Sequence, residues 1–213
     1  MDSGKPSPRT RSATSTRGAE DASSPRSRQD RAAATREEIV RTARAAFVES
    51  GYDGVSLRHI ARSVGVDPRL VSHYFASKAE LFAAALELTT ETAPMVPPVT
   101  DDAAAVLLTG SRGATTLDGY YMTIRSTSNP EAVAIIRDVV RRHGELPLAD
   151  RLPGDQRPGR AALLIAVNMG VLLMRDILGA EALTSGDTEE LIPYLDAALA
   201  ALAGSDGSET SPA

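Results

Sequence analysis

Residues 56–78, SLRHIARSVGVDPRLVSHYFASK, constrain the fold of this chain more than any other stretch. Leu57, Ile60, Ala61 and Val64 fall at helical spacing, which places them on one face of a short helix. Ser56 stands before the run as an N-cap candidate. Gly65 follows the last apolar residue, where a left-handed C-terminal cap costs least. Asp67-Pro68 then restarts a helix. Asp can cap it, and Pro lacks only an N–H that the first helical position does not use. Two helices around a short Gly-containing turn make a helix-turn-helix, whose second helix lies in the major groove of DNA. Val71, Tyr74 and Phe75 supply an inward face for that helix. Arg69, Leu70, Ser72 and His73 are left more outward. Ser77-Lys78-Ala79-Glu80 forms a capping box that opens the next helix.

The preceding segment suits the same design. Thr35-Arg36-Glu37-Glu38 reads as another capping box, followed by Ile39, Ala43, Ala46 and Phe47 on one face. Gly51 ends that helix and Tyr52-Asp53-Gly54 connects it to the next. Residues 35–93 therefore propose four helices. In order, these elements resemble the DNA-binding domain of the tetracycline-repressor (TetR) family of bacterial transcription regulators. The matching features begin with an aliphatic-and-Phe helix ending in Gly51-Tyr52. Gly54-Val55-Ser56-Leu57-Arg58-His59-Ile60-Ala61 and Gly65-Val66 come next. His73-Tyr74-Phe75-Ala76-Ser77-Lys78-Ala79-Glu80-Leu81 completes the set. The resemblance runs from Thr35 to Leu86, about a quarter of the chain. Two positions depart from it: many family members carry Tyr where this chain has Ser72, and often His where it has Tyr74. The usual aromatic phosphate contact is thus absent at Ser72, and Tyr74 either replaces it or packs inward.

The net charge of −5 taken alone argues against DNA binding, but its distribution supports it. Residues 1–30 hold 6 Lys and Arg against 4 Asp and Glu, and residues 31–78 hold 8 against 5. Residues 79–213 hold 9 against 19. A basic first third joined to an acidic remainder is expected when one lobe meets phosphates and the other does not. The acidic remainder also speaks against an architectural DNA-coating protein. The chain has no cysteine, which excludes disulfides, Cys-based zinc fingers and thiol nucleophiles. No nucleophile–base set, metal-ligand cluster or phosphate loop is evident, so neither an enzyme nor a cofactor or metal is expected. The longest apolar run, Ala161 to Met174, is too short for a membrane helix and contains Asn168 and Gly170. The first residues lack the apolar core of a signal peptide, so the expected location is cytoplasmic.

An all-α chain in four parts is expected: a disordered basic tail (1–31), a helix-turn-helix domain (32–93), a helical regulatory and dimerisation domain (94–203) and a disordered tail (204–213). Pro94, Pro97 and Pro98 separate the two domains. Helices are expected over Asp101–Thr116, Leu117–Thr127 and from Pro130 onward, with a loop or broken helix over Gly144–Gly159. Arg160–Leu178 is apolar around nearly its whole circumference and needs cover on two sides. Asp187–Leu202 is amphipathic, with Pro193 placed oddly inside it. In the resembled family the last two long helices pair with their copies. Leu164, Val167, Val171, Met174, Leu195 and Leu199 are the candidates for that pairing; the rival reading is a monomeric core.

The function implied is a homodimeric, ligand-responsive regulator binding double-stranded DNA at a palindromic operator, more as repressor than activator. Arg69, with Pro68, Leu70, Ser72 and His73, is placed to read bases, Arg69 by its fork and Leu70 by a thymine methyl. Lys78, Ser56, Arg58, Thr35, Arg36 and Tyr74 are candidates for phosphate contacts. Arg58 has a rival reading as a solvated surface charge, and Ser56 serves as a cap in either case. The resemblance implies that residues 101–203 bind a small-molecule effector. Tyr120, Tyr121, Met122, Ile136, Asn168, Met169 and Arg175 are candidates for its pocket, or else plain core. Asn168 and Arg175, polar groups on an apolar helix, need partners if buried.

Overall fold

The computed structural model describes residues 25–92, 102–110 and 117–204. The expectations for residues 1–24, for the proline break at 94–98 and for 205–213 fall outside these. Among the described residues all regular structure is helical. The α-helices are α1 (Pro25–Ser50), α2 (Leu57–Val64), α3 (Pro68–Tyr74), α4 (Lys78–Thr92), α5 (Ala103–Thr109), α6 (Asp118–Ser126), α7 (Pro130–Val140), α8 (Leu146–Ala149), α9 (Arg157–Leu172) and α10 (Ile192–Ala203). A π-helical turn, Arg141–Glu145, joins α7 to α8, and another, Leu173–Ile177, extends α9. Among the described residues no helix is long and apolar enough to cross a membrane.

The chain divides into two units, Met1–Glu37 and Glu38–Ala213. The described part of the first is the opening of α1. Here the structure corrects the sequence reading twice. Residues 25–31, expected in the tail, are helical. Thr35 is no cap: its hydroxyl donates to the Arg31 carbonyl one turn back, at 2.8 Å. Arg28, Gln29, Arg31 and the Ala32–Ala34 run are good helix formers, so nothing stops the helix at Thr35.

In the second unit one apolar core runs through α1, α2, α3, α4, α6 and α7. Ile39, Phe47, Ile60, Val71, Phe75 and Phe82 meet Met122, Ile136 and Val139 there, all buried. Phe82 stands edge-on to Phe47 and to Tyr52, with ring centroids 4.9 and 5.0 Å apart. Edge-to-face packing is a favourable arrangement for such rings. The helix-turn-helix and the α6–α7 pair of the expected regulatory domain thus share one core, which a boundary at Pro94 did not foresee.

Gly144–Gly159, expected as a loop or a broken helix, is the latter: it stays helical through Ala149 and breaks before α9. Pro147 lies in the first turn of α8, and Pro193 in the first turn of α10, where a missing N–H is tolerated. That placement also explains why Pro193 does not break its helix. Ala161, Leu164 and Ile165 of α9 pack with Leu148, Ala149, Leu152 and Ala203. Leu164 is therefore committed to the chain's own core and leaves the set of pairing candidates. Val171, Leu195 and Leu199 are partly covered by a third cluster built on Leu107, Tyr120 and Leu172. The outer side of the last helices is bare: Leu163 is 53% exposed, Met174 45%, Leu178 63% and Tyr194 77%. A side chain added at Gly170, on that stretch of α9, would meet open space.

Candidate nucleic-acid interface

The local geometry of α2 and α3 follows from their caps. Ser56 Oγ accepts the His59 N–H at 3.2 Å. Gly65 ends α2 with φ +79°, a left-handed conformation that glycine adopts without a Cβ penalty. Asp67 Oδ1 accepts the Arg69 N–H at 2.7 Å, and Pro68 fills the first turn of α3. At α4 the Ser77 hydroxyl accepts the Glu80 N–H at 3.1 Å, while Glu80 Oε2 reaches back to the Ala76 N–H at 2.8 Å. The inward side of α3 is Val71, with Phe75 just after it, both fully buried.

What remains outside is a coherent surface. Arg58, Pro68, Arg69, Ser72 and His73 line one open cleft of about 580 Å³, with Leu57 as a sixth residue that sequence reasoning had assigned only to the core face. Ser56 is exposed beside it. Leu70 is half-buried and does not line the cleft. Tyr74 is also half-buried, packed against the core, with its ring 5.6 Å from that of His73. Of the two readings left open for Tyr74, the structure favours packing. Lys78 turns its ammonium inward, donating to the Tyr52 carbonyl at 3.1 Å and lying 4.1 Å from the Tyr52 ring centroid. That leaves two of its three N–H donors for a phosphate. Thr35 and Arg36 belong to the Met1–Glu37 unit, where Arg36 is exposed.

A set of polar contacts ties the loop after α1 to the α6–α7 corner. The Tyr52 N–H donates to the buried Ser126 hydroxyl at 3.0 Å, and the Tyr52 hydroxyl donates to Glu131 Oε2 at 2.5 Å. Burial, reinforced by the Glu131 carboxylate, pushes the Tyr52 hydroxyl well above its ordinary pKa, so it stays protonated and donates. Arg125 donates to the Val48 carbonyl and, at 2.9 Å, to that of Glu49, satisfying carbonyls at the end of α1. Asn129 caps α7 with its oxygen and donates from its amide to Asp53 at 2.7 Å. Gly51, at φ +65°, presses against the Arg125 backbone where a Cβ would collide with the carbonyl. Arg44 pairs with Asp118 at 3.3 Å, and burial raises the Asp118 pKa against the opposing pull of Arg44. Sequence reasoning missed this cluster because most partners lie more than seventy positions apart.

The seven pocket candidates have different surroundings among the described residues. Met122 and Ile136 belong to the core shared with the reader helices. Tyr120 and Asn168 are both buried, and Asn168 Nδ2 donates to the Tyr120 hydroxyl at 3.0 Å. Met169 is partly buried between two clusters. Tyr121 lies under Arg125, 5.2 Å from ring centroid to guanidinium. Arg175 borders a cleft of about 360 Å³ with Leu108, Thr109, Leu183 and Thr188. Its guanidinium donates to the Leu107 and Gly110 carbonyls at 2.9 and 3.0 Å. The partners that Asn168 and Arg175 required are therefore within the chain.

A capped helix-turn-helix with an outward face of Arg, Ser and His, joined to a helical remainder, defines a DNA-binding regulator. Comparison with known proteins agrees. The family model for bacterial regulatory proteins of the tetR family matches residues 39–85, and that for the tetracyclin repressor-like C-terminal domain matches residues 100–202. The chain belongs to the TetR family of transcriptional regulators, which are DNA-binding proteins and not enzymes. Among solved structures, a TetR-family regulator from Streptomyces coelicolor A3 is 26% identical, with 80% of this chain and 94% of that chain covered at a TM-score of 0.45. A transcriptional regulator from Rhodococcus sp. Rha1 is 24% identical, with 83% and 99% covered at a TM-score of 0.52, and shares the fold. No match was found among curated proteins.

Proposed function

We propose that two copies of this chain pair through the outer side of α9 and α10 and that the dimer represses transcription from a palindromic operator until a small-molecule effector releases it. The observation that carries this reading is the bare apolar side of the last helices, with Leu163, Met174, Leu178 and Tyr194 between 45% and 77% exposed. Large exposed apolar groups grouped on neighbouring elements mark association surfaces. A two-fold pairing sets two copies of α3 about 34–36 Å apart, one turn of DNA, and so requires an inverted repeat. In this organisation residues 32–93 read DNA and residues 94–203 pair and bind the effector. Release by an effector needs a path from one to the other. The Tyr52–Ser126, Tyr52–Glu131 and Arg125–Glu49 hydrogen bonds support such a path, because a shift of the α6–α7 corner pulls directly on the loop before α2.

Footprinting on the DNA upstream of the protein's own gene tests the reading: a protected palindrome is expected, and occupancy should lower transcription from a fused reporter. Protection of a lone half-site by a monomer sinks it. Within the site, Arg69 is the base reader, and Arg58, Ser56 and Lys78 hold phosphates. Arg69→Ala should cost about 1–3 kcal/mol of binding and relax the preference at one operator position. Uniform weakening over all sequences, measured by competition with a randomised duplex pool, makes Arg69 a phosphate contact instead.

A further inference from the structure

We propose that the cleft between α2 and α3 is a seat for the C5-methyl of one operator thymine, with Leu57 and Pro68 as its floor and Ser72 as the residue that keeps it open. The proposal rests on the DNA-reading role of α3 and adds a specificity determinant from outside that helix. Leu57, Arg58, Pro68, Arg69, Ser72 and His73 form the lining. Leu57 and Pro68 contribute only carbon, and Ser72 is the smallest side chain of the six. Arg58 and Arg69 belong to the same lining and bring the charge complement of a phosphate-lined groove. The major-groove edge of a base pair offers donors and acceptors throughout, with one apolar group, the thymine methyl. An apolar floor facing that edge beside two arginines therefore selects thymine and leaves the other bases without a partner.

Leu70, the expected methyl contact on sequence grounds, is half-buried and outside the lining. The methyl seat thus moves from the middle of α3 to the junction of the first turns of both helices. The departure at Ser72 acquires a consequence as well. A tyrosine there would bring its ring into the cleft that Ser72 lines. In this chain the small side chain exchanges an aromatic contact for room to admit a base edge.

The test uses a duplex selected by the full-length wild-type protein from a random pool, in which each thymine of a half-site is replaced in turn by uracil. One position per half-site should weaken binding about fourfold, the effect of losing one buried methyl. Pro68→Ala and Leu57→Ala should remove that sensitivity while leaving thymine-to-uracil changes elsewhere neutral. Because Leu57 also packs against the core, Pro68→Ala carries the test if Leu57→Ala melts early. Ser72→Tyr should lower affinity for the selected duplex about tenfold with an unchanged melting temperature, since Ser72 is exposed. Equal or tighter binding by Ser72→Tyr overturns the proposal. So does a tight wild-type complex indifferent to every uracil. Failure of the wild type to select any duplex fails the DNA-reading role itself, an outcome distinct from these two.

Discussion

Phe82→Ala should lower the stability of the protein by about 3–5 kcal/mol, the range for a fully buried aromatic cut back to a methyl. Phe82 has no exposure and stands edge-on to both Phe47 and Tyr52. Little else can fill the gap, because the chain has three Phe, five Tyr and no Trp. Loss of the ring removes buried apolar area and also two edge-to-face contacts, and the rigid helices around it cannot close the cavity fully. Denaturant titration followed by helical circular dichroism measures the change. The midpoint should fall at unchanged slope, and operator binding should be lost at temperatures where the wild type still binds. A loss under about 1 kcal/mol contradicts the packing described, since even partial collapse leaves more than that. The same core holds Met122, Ile136 and Val139, so the variant should loosen the α6–α7 corner together with the reader helices.

Leu163→Glu should have the opposite signature: monomer stability hardly altered and association destroyed. Leu163 is 53% exposed in the single chain, so an ionised side chain there stays hydrated while the copies are apart. On pairing, a two-fold interface brings the substitution in twice and strips water from both charges. A cost of about 3 kcal/mol or more raises the dimer dissociation constant ~100-fold. Operator affinity should fall further than that of any single base contact, because linked half-sites gain about 10²–10⁴ in avidity that separate monomers lack. Sedimentation velocity and gel-shift on one protein preparation check both parts. A Leu163→Glu protein that remains dimeric removes the outer face of α9 from the pairing surface. The contrast with Leu164 is informative, since that neighbour is buried in the chain's own core and Leu164→Ala should destabilise the monomer instead.

Much of the reader was legible in the chain itself. Ser56, Gly65, Asp67 and the Ser77–Glu80 box all act where their side chains and positions suggested, because a cap is a contact within a few residues and depends on little else. Thr35 failed by the same local logic. A capping motif opens a helix only if the preceding residues are poor helix formers, and Arg31–Ala34 are not. Around Pro147 the sequence left loop and broken helix both open, and the second is possible because proline is a breaker inside a helix but not in its first turn.

Contacts between distant positions were not legible. Tyr52 meets Ser126 and Glu131, Arg125 meets Val48 and Glu49, and Asn168 meets Tyr120, and no periodicity connects such pairs. The pocket candidates kept two readings open in the sequence, because a Met or Tyr at helical spacing looks the same whether it lines a cavity or fills a core. By itself, then, the sequence determined an all-helical chain, a capped helix-turn-helix and the outward placement of Arg69, Ser72 and His73, while Leu70, read as outward with them, is half-buried. Helical period and caps are properties of neighbouring residues, and they need no knowledge of the rest. The tertiary structure decided that α1–α4 share one core with α6 and α7, that Leu164 turns inward while Leu163 stays bare, and that Leu57 lines the cleft beside Arg58 and Arg69. Each of these depends on which helix lies against which, and that is set by packing between residues far apart along the chain.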